Sequence, residues 1–304
     1  MIVRDQKPSV AVLLFAVKGS IIPAIWPKVL FTVLVSTLVL LTHGTVFNFH
    51  MVLTPVPFTL WGLTLAICLG FRNTVAYQRF WEARTFLGEL AMASRNLARQ
   101  LGSLLPRATP SQRLAVAGQL LGFIHLVRDQ LRGLAPGADA QRWLEVGTLA
   151  PVDPPQGANV ALRRLAEGVM NLATETGASD MVKVQLDQQL CTLTHALSGC
   201  EKIKLTPIPF PYILMMHRVV HIYCLLLPFC LVDSIGWFTP FAVCVLAYMF
   251  FGLDALGDQI ANPFDTQPNA LPLDAICRQV EINVLELLGE PAPAPLQPVA
   301  GVLL

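Results

Sequence analysis

Between Val29 and Phe71 the chain carries no Asp, Glu, Lys or Arg. Then GFRNTVAYQRFWEAR, residues 70–84, brings Arg72, Arg79, Glu82 and Arg84, interleaved with Tyr77, Phe80 and Trp81. An uncharged run of that length cannot coat a water-soluble surface, whereas about 20 mostly apolar residues suffice to cross a bilayer as a helix. The remainder of the 304 residues agrees: 54% are hydrophobic and 13% charged, about half the charged share of soluble domains. An all-α integral membrane protein is the class that follows. A net charge of +1, with no zinc-finger spacing and no aromatic-basic signature, excludes a nucleic-acid partner.

Four spans emerge, at about 22–43, 54–71, 210–232 and 236–253, in two hairpins. TPVPF (54–58) and TPIPF (206–210) mark helix entrances, because proline is tolerated in a first turn. Lysine and arginine set the orientation. Lys18 and Lys28 precede the first span, Arg72, Arg79 and Arg84 follow the second, and Lys202 and Lys204 precede the third. The outer loops carry only Asp233. Both termini and the middle of the chain are therefore expected in the cytoplasm. The apolar patch Val10–Val17 is too short to span, and no cleavage site marks a signal peptide.

Residues 1–84 thus form an N-terminal segment and first hairpin, 85–205 a cytosolic helical region, and 206–258 the second hairpin. Residues 259–289 form a cytosolic C-terminal segment, and 290–304 a proline-rich tail expected to be disordered. Within the middle region, LGELAMASRNLARQLGSLL and SQRLAVAGQLLGFIHLVRDQLRGL read as amphipathic helices separated by Pro106 and Pro110. No strand is expected. Seven cysteines without a CxxC pair read as small buried hydrophobes.

The second span carries two stripes with a four-residue repeat, which share helix faces. Leu63, Ile67 and Phe71 are bulky; Gly62, Ala66 and Gly70 are small, as in helices that pack closely in membranes. The spacing alone fits either ordinary packing in a lipid-facing bundle or a helix repeated around an axis. In the second case the small faces touch neighbours and the bulky faces narrow a passage that gates by dewetting.

GFRNTVAYQRFWEAR resembles the stretch after the second transmembrane helix of bestrophins, especially prokaryotic ones. TPIPFPY before the third span and DQIANPFDTQPNALPLDAICRQVEI after the fourth resemble two further family stretches in the same order, and the likeness covers most of residues 1–289. It implies a homopentameric ion channel with four transmembrane helices and a large helical cytosolic region around a central pore. By motif position the family's hydrophobic neck falls on Leu63, Ile67 and Phe71. Arg72 then opens a wetter cytosolic cavity, and a second constriction, the cytosolic aperture, falls at Leu190. Eukaryotic members conduct chloride and are calcium-activated, whereas some prokaryotic ones prefer sodium or potassium. After Asn262-Pro263-Phe264, the acidic calcium clasp of eukaryotic members is reduced here to Asp265. No cofactor and no calcium gating of that type are expected, since calcium takes six to eight oxygen ligands.

A ring of Arg72 beside the neck would favour anions, and a ring of Asp233 at the outer mouth cations. His217 and His221 have the spacing of two metal ligands on one face, but no acidic third ligand accompanies them, and no metal site is expected. Arg218, costly within hydrocarbon, is expected to snorkel or to pair with a carboxylate of the middle region. An enzyme would need a convergent set of nucleophile, base or metal ligands, and HExxH, GxSxG and P-loop patterns are all missing. A carrier would show inverted repeats with midplane charges. A non-conducting membrane scaffold is compatible with composition. The expected partners are other copies of the chain, membrane lipid and permeant monovalent ions. The expected location is a bacterial inner membrane.

Overall fold

The computed structural model describes residues 1–2, 16–17, 19–42, 45–46, 49–50, 54–147, 157–299 and 301–303. Lys18, most of Val10–Val17, parts of the 44–53 loop and most of the 147–159 connection lie outside the described residues. Nine α-helices are described: α1 (Ile22–Leu41), α2 (Pro55–Ser103), α3 (Pro110–Arg132), α4 (Ala138–Val146), α5 (Gly157–Glu175), α6 (Asp180–Leu205), α7 (Phe210–Ile235), α8 (Thr239–Ala261) and α9 (Leu273–Leu288). Between α1 and α2, a two-residue antiparallel ladder, β1 (Thr45–Val46) against β2 (Phe49–His50), stands where no strand was expected. A 3₁₀ turn, Gly236–Phe238, joins α7 to α8.

The chain divides into two compact units. One comprises residues 4–80 and 207–262, the other residues 1–3, 81–206 and 263–304. In the first unit, α1 packs along α7 and α8. Its hydrophobic core buries Ile25, Leu65, Leu69, Val220, Cys224, Val243 and Ala247. An aromatic group fills one end, with the Tyr223 ring centroid 5.6 Å from both Phe58 and Trp61 and 5.1 Å from Phe250. Three stretches are long and apolar enough to cross a membrane: Ile22–Leu41, Pro55–Ser103 and Phe210–Ala261, the last containing both α7 and α8. The 20 residues of α1 extend about 30 Å, one hydrocarbon thickness. Large apolar side chains on these helices stay uncovered, among them Leu34, Leu38, Leu60 and Phe241. Trp237 and Phe238 stand exposed at the α7–α8 turn, as aromatic residues do at a membrane–water boundary. Lys28 lies inside α1, one and a half turns beyond its start, not ahead of it.

The second expected span, ending at Phe71, lies within a longer helix. The 49 residues of α2 continue to Ser103 without a break, about 74 Å of helix. Hydropathy ends at Arg72, but helix formation does not depend on hydropathy, and no proline intervenes between Pro57 and Pro106.

In the second unit α3 is the central helix, packed by α4, α5 and α9. A capping box opens it, Thr109 accepting from the Gln112 N–H and the Gln112 side chain accepting from the Thr109 N–H. Gly133 closes it at φ +70°, a left-handed conformation suited to glycine. The residues 290–299 and 301–303 of the tail are not helical. Val302 bridges both Ile2 and Val299, and the Leu303 N–H donates to the Met1 carbonyl at 2.8 Å.

Burial pushes the Cys200 and Cys277 thiols up to about 12, with Glu201 and Glu89 adding to the effect at Cys200. Thiolate is the reactive form, so at about pH 8 a maleimide is expected to label exposed Cys191 and to spare Cys200 and Cys277 until the protein is unfolded. Mass mapping of labelled peptides checks this, and fast labelling of Cys277 in folded protein would contradict the packing of α9 on α3.

Candidate functional site

The first unit brings the singled-out residues of α2 into two distinct environments. Leu63, Ile67 and Phe71 are 59%, 50% and 67% exposed, a face left largely uncovered by the described residues of this chain. Leu65, Leu69, Arg72 and Ala76, spaced by four, three and four, form the buried face. Arg72 does not share the exposure of Phe71: at 2% it is among the most buried large side chains of the chain. Stepping along the helix from Leu65 and Leu69 reaches Arg72, whereas stepping from Leu63 and Ile67 reaches Phe71. That register was the sequence signal for Arg72's burial.

A charged quartet explains how an arginine is held there. Arg72 Nη1 donates to Asp254 Oδ1 at 2.5 Å and to the Asp254 carbonyl at 3.3 Å, and Nη2 donates to Asp258. His217 Nδ1 lies 2.5 Å from the second Asp254 oxygen, and its Nε2 lies 3.2 Å from Asp258 Oδ2. With His217 protonated, the four side chains sum to zero charge. Asn73 Nδ2 donates to the Leu253 carbonyl at 3.1 Å. A Cβ at Gly257 would sit 2.5 Å from Asn73 Oδ1 and 3.5 Å from Arg72 Cζ, so glycine is what allows α8 this close to α2.

The histidine pair reads differently from its spacing. His217 does meet acidic partners, Asp254 and Asp258, which lie far along the chain on α8; the possible ligand atoms of all three are within 4.8 Å of one another. Both carboxylates, however, already face Arg72, whose guanidinium occupies the place of a cation, and the quartet is an ion-pair network. His221 takes no part in it. Its Nδ1 donates to the His217 carbonyl at 2.6 Å and its ring packs edge-on against Phe251.

The remaining predicted positions scatter. Gly62 is buried against Tyr223 of the same chain, where a Cβ would approach the phenol oxygen to 2.5 Å. Its small size thus serves α7, not a neighbouring copy. Ala66 and Gly70 are exposed, with open space around Gly70. Asp233 is exposed at the end of α7. Arg218 is exposed and makes no ion pair among the described residues, so the expected carboxylate from the middle region is not its partner. Leu190 is 4% exposed in the packed core of the second unit; the exposed large apolar residues of α6 are Met181, Val184 and Leu205. Asp265 Oδ1 accepts from the Thr266 N–H at 2.7 Å.

A bundle of long apolar helices, uncovered on one face and pinned by a buried ion-pair network, defines a helical membrane protein. The chain belongs to the bestrophin family of bacteria and fungi, whose profile it matches over residues 1–286. A voltage-dependent anion channel-forming protein of Mesorhizobium japonicum is 39% identical over 295 residues, covering 96% of this chain and 94% of the relative. The protein YneE of Escherichia coli K12, of the same description, is 34% identical over 95% of both chains. The crystal structure of a bacterial bestrophin homolog from Klebsiella pneumoniae superposes with a TM-score of 0.81 at 36% identity, covering 88% of this chain and 99% of that one.

Proposed function

We propose that the protein is an anion-conducting bestrophin channel. Copies of the chain, a pentamer by family analogy, surround a passage whose neck is lined by Leu63, Ile67 and Phe71. Four spans carry it across a bacterial inner membrane with both termini in the cytoplasm. It works without a cofactor, and Asp265 alone does not reproduce a calcium clasp. The observation that carries this reading is the uncovered face of α2, whose rotation is held by Arg72 on the other side of the helix. An apolar ring admits ions only when it wets. The names of the relatives from Mesorhizobium japonicum and Escherichia coli support anions.

The charge of Arg72 no longer supports that preference, because Asp254 and Asp258 neutralise it. Exposed Asp233 favours a second reading, a channel for monovalent cations. Reversal potentials in planar bilayers under asymmetric potassium chloride distinguish the two. A shift toward the chloride equilibrium potential is expected; a shift toward potassium would establish the second reading. Absence of any conductance from pure protein would leave a non-conducting scaffold. Mass measurement of the detergent-solubilised assembly tests the pentamer.

A further inference from the structure

The first unit contains a groove of about 450 Å³ between α1, α7 and α8, walled by Pro27, Phe31, Leu225 and Phe251, with Lys28 and His221 as its polar side chains besides Thr32. That volume is within the range of small-molecule sites, yet its walls are almost wholly apolar. Lys28 Nζ stands 5.8 Å from the centroid of the Phe251 ring and makes no ion pair among the described residues. His221, an exposed residue of the groove lining, uses Nδ1 on the His217 carbonyl, which leaves Nε2 for a ligand. One turn earlier on α7, Arg218 shares the face of His221 and Leu225 and is likewise exposed without an ion pair among the described residues. No carboxylate lines the groove, and the nearest on α8, Asp254, is engaged by Arg72 and His217.

Lys28 lies about 9 Å from the start of α1 and Arg218 about 12 Å from the start of α7. Two cations at such depth on apolar helices require an anion or a route to water. We propose that this groove binds one anionic phospholipid, its phosphate between Lys28, Arg218 and His221 and an acyl chain along Phe31, Leu225 and Phe251. Charge complementarity selects the headgroup, and the apolar walls require the chain. A basic pocket between transmembrane helices is suited to such headgroups. The site requires only that these helices lie in a membrane, so it stands or falls apart from ion selectivity.

Native mass spectrometry of the detergent-solubilised protein, titrated with phosphatidylglycerol or phosphatidylcholine of the same chains, tests this. Phosphatidylglycerol is expected to bind more tightly than phosphatidylcholine. The double variant Lys28→Gln/Arg218→Gln is expected to lose roughly thirtyfold of that affinity, the effect of two surface cations. Phe31→Trp, which fills the groove and keeps the charges, is expected to weaken both lipids. An unchanged melting temperature and elution volume show that these variants fold. Equal binding of the two lipids, or a preference retained by the double variant, would overturn the proposal. So would equal competition by chain-free glycerophosphoglycerol, or a cross-link between subunits through Phe31→Cys, which would assign the face to a second copy.

Discussion

Arg72→Ala is expected to destabilise the protein by about 3–5 kcal/mol, because it leaves a buried carboxylate without its counter-charge. Asp254 is the vulnerable group: its side chain is 1% exposed, and among the described residues His217 would be its one remaining ion-pair partner. Asp258 is 41% exposed and can return to water, so Asp258→Asn is expected to cost only about 0–1 kcal/mol, as for surface pairs. The double variant Arg72→Met/Asp254→Leu removes both charges and replaces them with apolar bulk. It is expected to recover much of the loss, since such exchanges are often neutral. Thermal unfolding in detergent, followed by elution profile, measures all three. If Arg72→Ala melted with the wild type and instead moved the reversal potential, Arg72 would face a watery passage and the quartet would not exist in the assembled protein.

The helices were legible and the quartet was not, for separate physical reasons. Spans leave a strong mark because the bilayer forbids charge, and the uncharged run from Val29 to Phe71 shows it directly. Helix starts were legible where proline sets them, as at Pro55 and Pro110. At Phe71 only hydropathy changes, and the helix runs on beyond the apolar stretch. The partners of Arg72 lie 182 and 186 positions away, beyond any local pattern, although the Leu65–Leu69–Arg72–Ala76 register signalled which face the arginine shares. For His217 the error was the same: an acidic partner was sought nearby in sequence, while it came from α8. Gly62 shows that a small-residue stripe does not name its neighbour, since here the close contact is Tyr223 of the same chain. Leu190 was placed through a stretch with few distinguishing residues, and apolarity alone does not separate a pore lining from a core.

Within the proposed pore, polar substitution on the uncovered face of α2 is expected to raise conductance strongly. Leu63, Ile67 and Phe71 each leave at least half their surface uncovered in this chain, so serine at these positions opens no cavity within the chain. What it changes is the cost of wetting the passage. A dry ring excludes water and hence ions of either sign, and each 1.36 kcal/mol removed from a barrier multiplies a rate about tenfold. Ile67→Ser, in the middle of the face, is therefore expected to increase single-channel or macroscopic current about tenfold with little change in reversal potential, because no charge is introduced. Serine at all three positions should abolish gating altogether. In a background without other reactive cysteines, Ile67→Cys should react with a water-soluble charged thiol reagent, and the added charge should change the current. Helices facing lipid predict the opposite pattern: polar substitutions there weaken membrane insertion and leave the current per inserted channel unchanged, and the cysteine stays shielded by acyl chains. Unaltered current in the triple variant would place the neck on another part of the molecule.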